Sequence, residues 1–173
     1  MKFFYYSLIA LTALTVSGCG GGQGQASADN TSNTSTAIAN TSIMLDVYKS
    51  ETCGCCGVWV EYMNKLGYSI TIHHPEDLNA VKEELGIAPQ WQSCHTAVTK
   101  DGYLFEGHIP EKYVKQFLAS TPENALGLAV PGMPLGSPGM EMGDRFTPYQ
   151  IVLLNKDGST SNYATIASAA EQF

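Results

Sequence analysis

Apolar and polar positions change their period several times between Ile43 and Ala164, and each change marks a new element. Ile43, Leu45 and Val47 alternate with Met44, Asp46 and Tyr48, a period of two that predicts a strand. After Thr52-Cys53-Gly54-Cys55 the period lengthens. Val58, Trp59, Tyr62, Met63 and Leu66 fall on one helical face, and Gly67 supplies a stop. Tyr68 to His73 reads as a second strand. Pro75-Glu76-Asp77 opens a second helix, with proline where a missing N–H is tolerated and acids at the positive end of the dipole. Its apolar face is Leu78, Val81 and Leu85, closed by Gly86. His95–Thr99 and Tyr103–His108 flank Lys100-Asp101-Gly102, a hairpin pattern. Pro110 then opens a third helix with Val114, Phe117 and Leu118 inward. The expected order is β-α-β-α-β-β-α. A further hairpin, Gln150–Leu154 and Ser159–Ala164 around Asn155-Lys156-Asp157-Gly158, is expected as an appended piece.

The segment before this pattern has a different character. Residues 1–18, MKFFYYSLIALTALTVSG, carry one basic residue and then an apolar run from Phe3 to Val16. The run is shorter than the roughly 20 apolar residues of a membrane-spanning helix and reads as a secretory signal. It ends in Val16-Ser17-Gly18-Cys19, a lipobox pattern in which Cys19 becomes the lipidated first residue; the other reading is an ordinary signal with an incidental cysteine. Lipidation anchors a chain to the membrane without spanning it. Gly20 rather than Asp follows, which suits an outer-membrane lipoprotein of a Gram-negative bacterium. Residues 19–42 are Gly, Ser, Thr, Asn and Ala with little else, too poor in apolar groups to offset the entropy of ordering. They are expected to form a disordered tether, leaving residues 43–173 as one domain. The formal charge of −7 becomes −8 once Lys2 leaves with the signal. That argues against a nucleic-acid partner, which needs a basic surface, and suits the handling of cations.

Setting Cys19 aside leaves Cys53, Cys55, Cys56 and Cys94 of the five cysteines. The predicted element order is that of the thioredoxin fold, and TCGCCGVW falls where that fold keeps its CxxC pair, between the first strand and the first helix. A CxxC switch needs Cys53 and Cys56; Cys55 is one thiol more. Outside the cytoplasm thiols tend to become disulfides, but cysteines this close in sequence pair poorly, so at least one needs another partner. Free N–H groups and the dipole of a helix N-terminus favour thiolates there. Cys94 enters the third strand, where a thioredoxin-like chain turns back toward its CxxC. Four converging sulfurs suit soft Cu(I), singly or in a multinuclear cluster. Zn²⁺ is the less favoured alternative.

Val130–Gly143 is the other unusual stretch. It holds three of the six methionines among prolines and glycines, so it is neither a regular helix nor a central strand. Met133, Met140 and Met142 are candidate copper ligands or an entry path; the other reading is a lid packed on the core. His73 and His74 suit surface or capping roles. His95 and His108 are additional metal candidates. His95, next to Cys94, should face away from it unless the pair lies in irregular chain. Trp59 and Trp91 read as packing residues, and Asp101 and Glu106 as surface groups.

These stretches together carry a resemblance. VYKSETCGCCGVWVEYM, SCHTAV, GYLFEGHIP and GLAVPGMPLGSPGMEMG resemble the CopG-like family, long catalogued as a domain of unknown function and associated with bacterial copper-resistance operons. The resemblance spans about residues 45–143. It implies a thioredoxin-like fold, an envelope location, copper held by Cys53, Cys55, Cys56 and Cys94, and interconversion of Cu(I) and Cu(II), with copper efflux or periplasmic carrier proteins as partners. The competing expectation is a periplasmic thiol–disulfide oxidoreductase, with Cys53 attacking and Cys56 resolving. A third is a zinc- or disulfide-clamped module that only binds partners.

Overall fold

In the computed structural model the described residues are 42–173. The expected signal, Cys19 and all of the tether except Ser42 therefore lie outside them. Strand β1 (Met44–Lys49) leads into helix α1 (Gly54–Lys65), β2 (Ser69–His73) and helix α2 (Leu78–Glu84). A 3₁₀ turn at Pro89–Trp91 precedes the hairpin of β3 (His95–Thr99) and β4 (Leu104–Glu106), and helix α3 (Glu111–Ala119) follows. Three more strands complete the chain: β5 (Ala125–Ala129), β6 (Tyr149–Asn155) and β7 (Thr160–Ile166). The fold is mixed α/β, and its first seven principal elements keep the order read from the sequence. Among the described residues no helix is long and apolar enough to cross a membrane.

All seven strands join one sheet in the order β2-β1-β3-β4-β5-β6-β7. β1 lies parallel to β2 and antiparallel to β3, and Thr96 on β3 stands opposite Glu106 on β4. The expected C-terminal hairpin is present, appended to the edge of the same sheet. The link is β5, which runs parallel to β4 and antiparallel to β6. Its sequence, Ala-Leu-Gly-Leu-Ala, lacks the β-branched and aromatic residues that signal strands, so the pattern gave no warning of it. Gly127 explains the composition. A Cβ there would collide with the backbone of Leu104 on β4, and only glycine permits so close an approach.

Side chains alternate across the sheet, and the two faces bury different partners. One face packs Leu45, Val47, Phe105, Leu128 and Ile151 against Trp59, Val60 and Met63 of α1 and Val114 and Phe117 of α3. Burying a residue such as Phe117 stabilises the fold by roughly 1.5–3 kcal/mol. The other face sets Leu104, Ala129, Val152 and Leu154 against Ile87, with Leu85 and Trp91 beside them.

Three details correct the expected helices. The buried seam of α1 is Cys56, Trp59, Val60 and Met63, whereas Val58 and Leu66 are half exposed. The face is rotated toward Cys56, which places one of the clustered cysteines in the core. Helix α2 starts after Pro75, at Leu78, because the Asp77 carboxylate caps it by accepting from the Ala80 N–H at 3.0 Å. Leu78, Val81 and Leu85 are half-buried, and the fully buried residue of α2 is Lys82.

Candidate metal centre

The first turn of α1 presents the cysteine cluster. Cys53 is the N-cap residue, and Cys55 and Cys56 follow within the first turn. Their sulfurs therefore gather where backbone N–H groups have no helical acceptor. Cys94 ends the irregular segment before β3. Its sulfur and those of Cys53, Cys55 and Cys56 all lie within 4.8 Å of one another. The sequence expectation that residue 94 faces the cluster is met by the geometry.

Two of the four sulfurs are bonded to each other. Cys53 and Cys56 form a disulfide with Cα atoms 5.5 Å apart, while Cys55 and Cys94 are free thiols. Cys55 Sγ sits 3.6 Å from Cys53 Sγ. The structure therefore describes the oxidised form of the cluster, and the sequence gap of three residues accommodates the bridge despite the crowding. Burial, reinforced by the neighbouring Cys55, pushes the Cys94 thiol up to about 12. In the metal-free protein Cys94 keeps its proton at neutral pH, so a metal bound there has to displace it.

Two histidines complete the arrangement. His108 Nδ1 lies 2.8 Å from the Pro138 carbonyl. A carbonyl can only accept, so Nδ1 carries the hydrogen and Nε2 is left bare. Nε2 points at Cys94 Sγ, 3.0 Å away. His95 Nδ1 is 3.3 Å from the same sulfur, and the fully buried His95 Nε2 has no hydrogen-bond partner. Its ring is tilted against Trp59 at 4.6 Å and meets His108 edge-on at 5.0 Å. Cys94, His95 and His108 thus form a second group of mutually close donors that shares the Cys94 sulfur. Burial holds both imidazoles below the usual histidine range. His95 was expected to turn away from Cys94 except where irregular chain breaks the alternation; Cys94 lies in such chain just before β3, and both side chains reach the site.

The Gly/Pro/Met loop sits directly on this site. A Cβ at Gly139 would come within 2.9 Å of both the Cys55 carbonyl and the Trp59 amide nitrogen. The loop therefore covers the first turn of α1 and holds the His108 ring through Pro138. Its methionines are more peripheral. Met133 and Met142 are exposed, Met140 is half-buried, and Met142 Sδ accepts from the Arg145 guanidinium at 3.3 Å. Trp59 is a packing residue as expected, fully buried with its indole N–H donating to the Ile109 carbonyl at 2.9 Å, and Trp91 is half-buried beside the second core cluster. His73 pairs with Asp46 at 2.7 Å, and His74 contacts the Lys49 carbonyl at 3.0 Å. Both lie outside the cysteine and histidine groups.

Glu106 is where the sequence misled most. Expected at the surface, it is completely buried and ion-paired with Lys82. The available sign was an isolated acid inside the apolar run Tyr103–Ile109, matched by a lone lysine beside Val81.

The profile of a family described as "Protein of unknown function, DUF411" matches residues 91–140, the segment from Trp91 through Cys94, His95 and His108 to Met140. No curated protein matches the chain. Two solved structures do. One, "Copper resistance protein copG- Form 2", is 40% identical with a TM-score of 0.68, covering 72% of this chain and 98% of that one. The other, "Copper resistance protein copG- Form 1", is 41% identical with a TM-score of 0.67, covering 72% and 97%. The chain belongs to the CopG family. Coverage of nearly the whole CopG chains at this identity means that the similarity extends across the domain, well beyond the short profile match.

Proposed function

We propose that this protein takes copper as its cargo in copper resistance, holding Cu(I) through Cys53, Cys55, Cys56 and Cys94 once an external dithiol reductant has supplied the two electrons and two protons that open the Cys53–Cys56 bridge. The observation that carries the reading is the convergence of all four sulfurs within 4.8 Å at a helix N-terminus, in a chain about 40% identical to proteins named for copper resistance. Thiolate sulfur is the ligand type that soft Cu(I) prefers, and four sulfurs at this spacing leave room for bridging between more than one ion. Copper can also meet the bare Nε2 of His108 and Nδ1 of His95, which lie 3.0 and 3.3 Å from the Cys94 sulfur. The exposed Met133 and Met142 supply neutral soft donors on the approach. Imidazole beside thiolate tolerates Cu(II) better than sulfur alone, so the shared Cys94 suits a site that holds copper in either oxidation state. The leader and Cys19 support a lipid-anchored position in the cell envelope, from which the domain passes copper to an export system.

The test is a Cu(I) competition titration of reduced protein under anaerobic conditions. Replacing Cys55 by Ser weakens Cu(I) binding by at least about tenfold. An unchanged affinity in Cys55→Ser removes the third thiol from the site and with it this reading.

The Cys53–Cys56 disulfide favours a second reading, a thiol–disulfide oxidoreductase in which that pair alone exchanges with substrate disulfides. It predicts turnover of a model disulfide that survives Cys55→Ser and Cys94→Ser and is lost in Cys56→Ser.

A further inference from the structure

Beneath the cysteine cluster, on the opposite face of the sheet, lies a buried charged pair that the copper reading does not use. Lys82 of α2 is 1% exposed and Glu106 of β4 is 0% exposed. Thr96 and Glu106 are cross-strand neighbours on β3 and β4, and Lys82 donates to the Glu106 carboxylate and, at 2.9 Å, to Thr96 Oγ1. The Thr96 hydroxyl donates in turn to Glu106 Oε2. The remaining partner is the informative one. The Ser93 N–H donates to Glu106 Oε1 at 2.5 Å, and the Ser93 hydroxyl donates to the Gly132 carbonyl at 2.5 Å in the methionine loop.

Glu106 therefore grips the chain on both sides of Cys94, through Ser93 before it and Thr96 two residues after. Burying two charges is costly, and an apolar pair of similar volume commonly stabilises a core as well or better. Packing alone gives no reason for the pair. Its hydrogen bonds do, because Ser93 and Cys94 precede β3 in chain that has no regular structure of its own to hold the Cys94 sulfur in place. We infer that Lys82 and Glu106 are positioning residues that fix the Ser93–Thr96 segment and so keep the Cys94 sulfur against the Cys53, Cys55 and Cys56 cluster. The metal part of this inference rests on the copper reading; the placement of Cys94 does not.

Two variants test it. Glu106→Gln removes the charge but strands Lys82, and it risks misfolding. Lys82→Met/Glu106→Leu removes both charges together, which leaves no lone buried charge; it is expected to fold with a lowered melting temperature, because the Ser93 N–H and the Thr96 hydroxyl lose their acceptor. In reduced, copper-free protein, the alkylation rates of Cys94 and Cys55 are followed residue by residue by mass spectrometry, and Cu(I) affinity is measured by competition. The expected result is that Cys94 in the paired variant alkylates about tenfold faster or more and Cu(I) binds about tenfold more weakly, while the Cys55 rate stays at the wild-type value. Wild-type values for both Cys94 reactivity and Cu(I) affinity in the folded paired variant overturn the inference. So does an equal acceleration of Cys55 and Cys94, which marks general loosening. If the wild-type protein fails to bind Cu(I), the copper reading falls, and the Cys94 rate in the paired variant still decides the positioning role.

Discussion

Gly139 shows how narrowly the site is fitted at the level of single residues. Its φ is +87°, and a Cβ would stand 2.9 Å from the Cys55 carbonyl and 3.3 Å from His108 Nδ1. Gly139→Ala is therefore expected to lose on the order of 2 kcal/mol of stability. The loss is measured by denaturant unfolding; wild-type stability in this variant would mean that the loop is not seated on α1. The same scale shows why some residues could be read from sequence and others could not. CGCC declares itself because sulfur spacing is local. His108 needs Pro138, thirty residues away, to fix its tautomer, and Glu106 needs Lys82 on another element to be buried at all. Nothing adjacent to either residue in the chain encodes those partners.

Among the elements, those with a clear period were legible and those defined by their neighbours were not. The β3–β4 hairpin and the β6–β7 hairpin follow from alternation and turn residues. β5 escapes because Ala and Gly fill a strand whose tight contact with Leu104 excludes larger side chains. The phase of α1 was misjudged because Cys56 counts as an apolar core residue once buried. Contacts between elements also carry a pH dependence. Tyr68, next to β2, donates to the Glu111 carboxylate of α3 at 3.1 Å, and Glu111 N–H donates to Tyr62 of α1 at 3.0 Å. Tyr149 of β6 donates to Gln172 at 2.7 Å. Burial raises all three phenols above their ordinary value, and the Glu111 charge adds to the effect at Tyr68 and Tyr62. A raised folded-state pKa contributes stability that is complete below the unfolded value of about 10 and is lost as pH rises through the folded value. Denaturant melts between about pH 8 and about pH 11 should show stability falling on the alkaline side. Tyr68→Phe should flatten that fall, and an unchanged slope would remove Tyr68 from the cause.

Taken whole, the described domain is one continuous sheet with α1 and α3 on one face and α2 on the other, and the cysteine cluster lies where α1 begins. The α1 face brings His95, with Trp59, up to Cys94; the α2 face brings Lys82 to Glu106 and Thr96. The segment carrying Cys94 is thus held from both sides of the sheet. Sequence alone supplied the family resemblance and the four sulfurs. It could not supply the redox state of the cluster, because the Cys53–Cys56 bridge and four free thiols share one sequence. Copper X-ray absorption of the reduced, anaerobically loaded protein, compared with Cys55→Ser, tests the central claim most directly. The account predicts a shell dominated by sulfur neighbours that loses amplitude in the variant. A shell of nitrogen and oxygen alone, or identical sulfur shells in the two proteins, would contradict it.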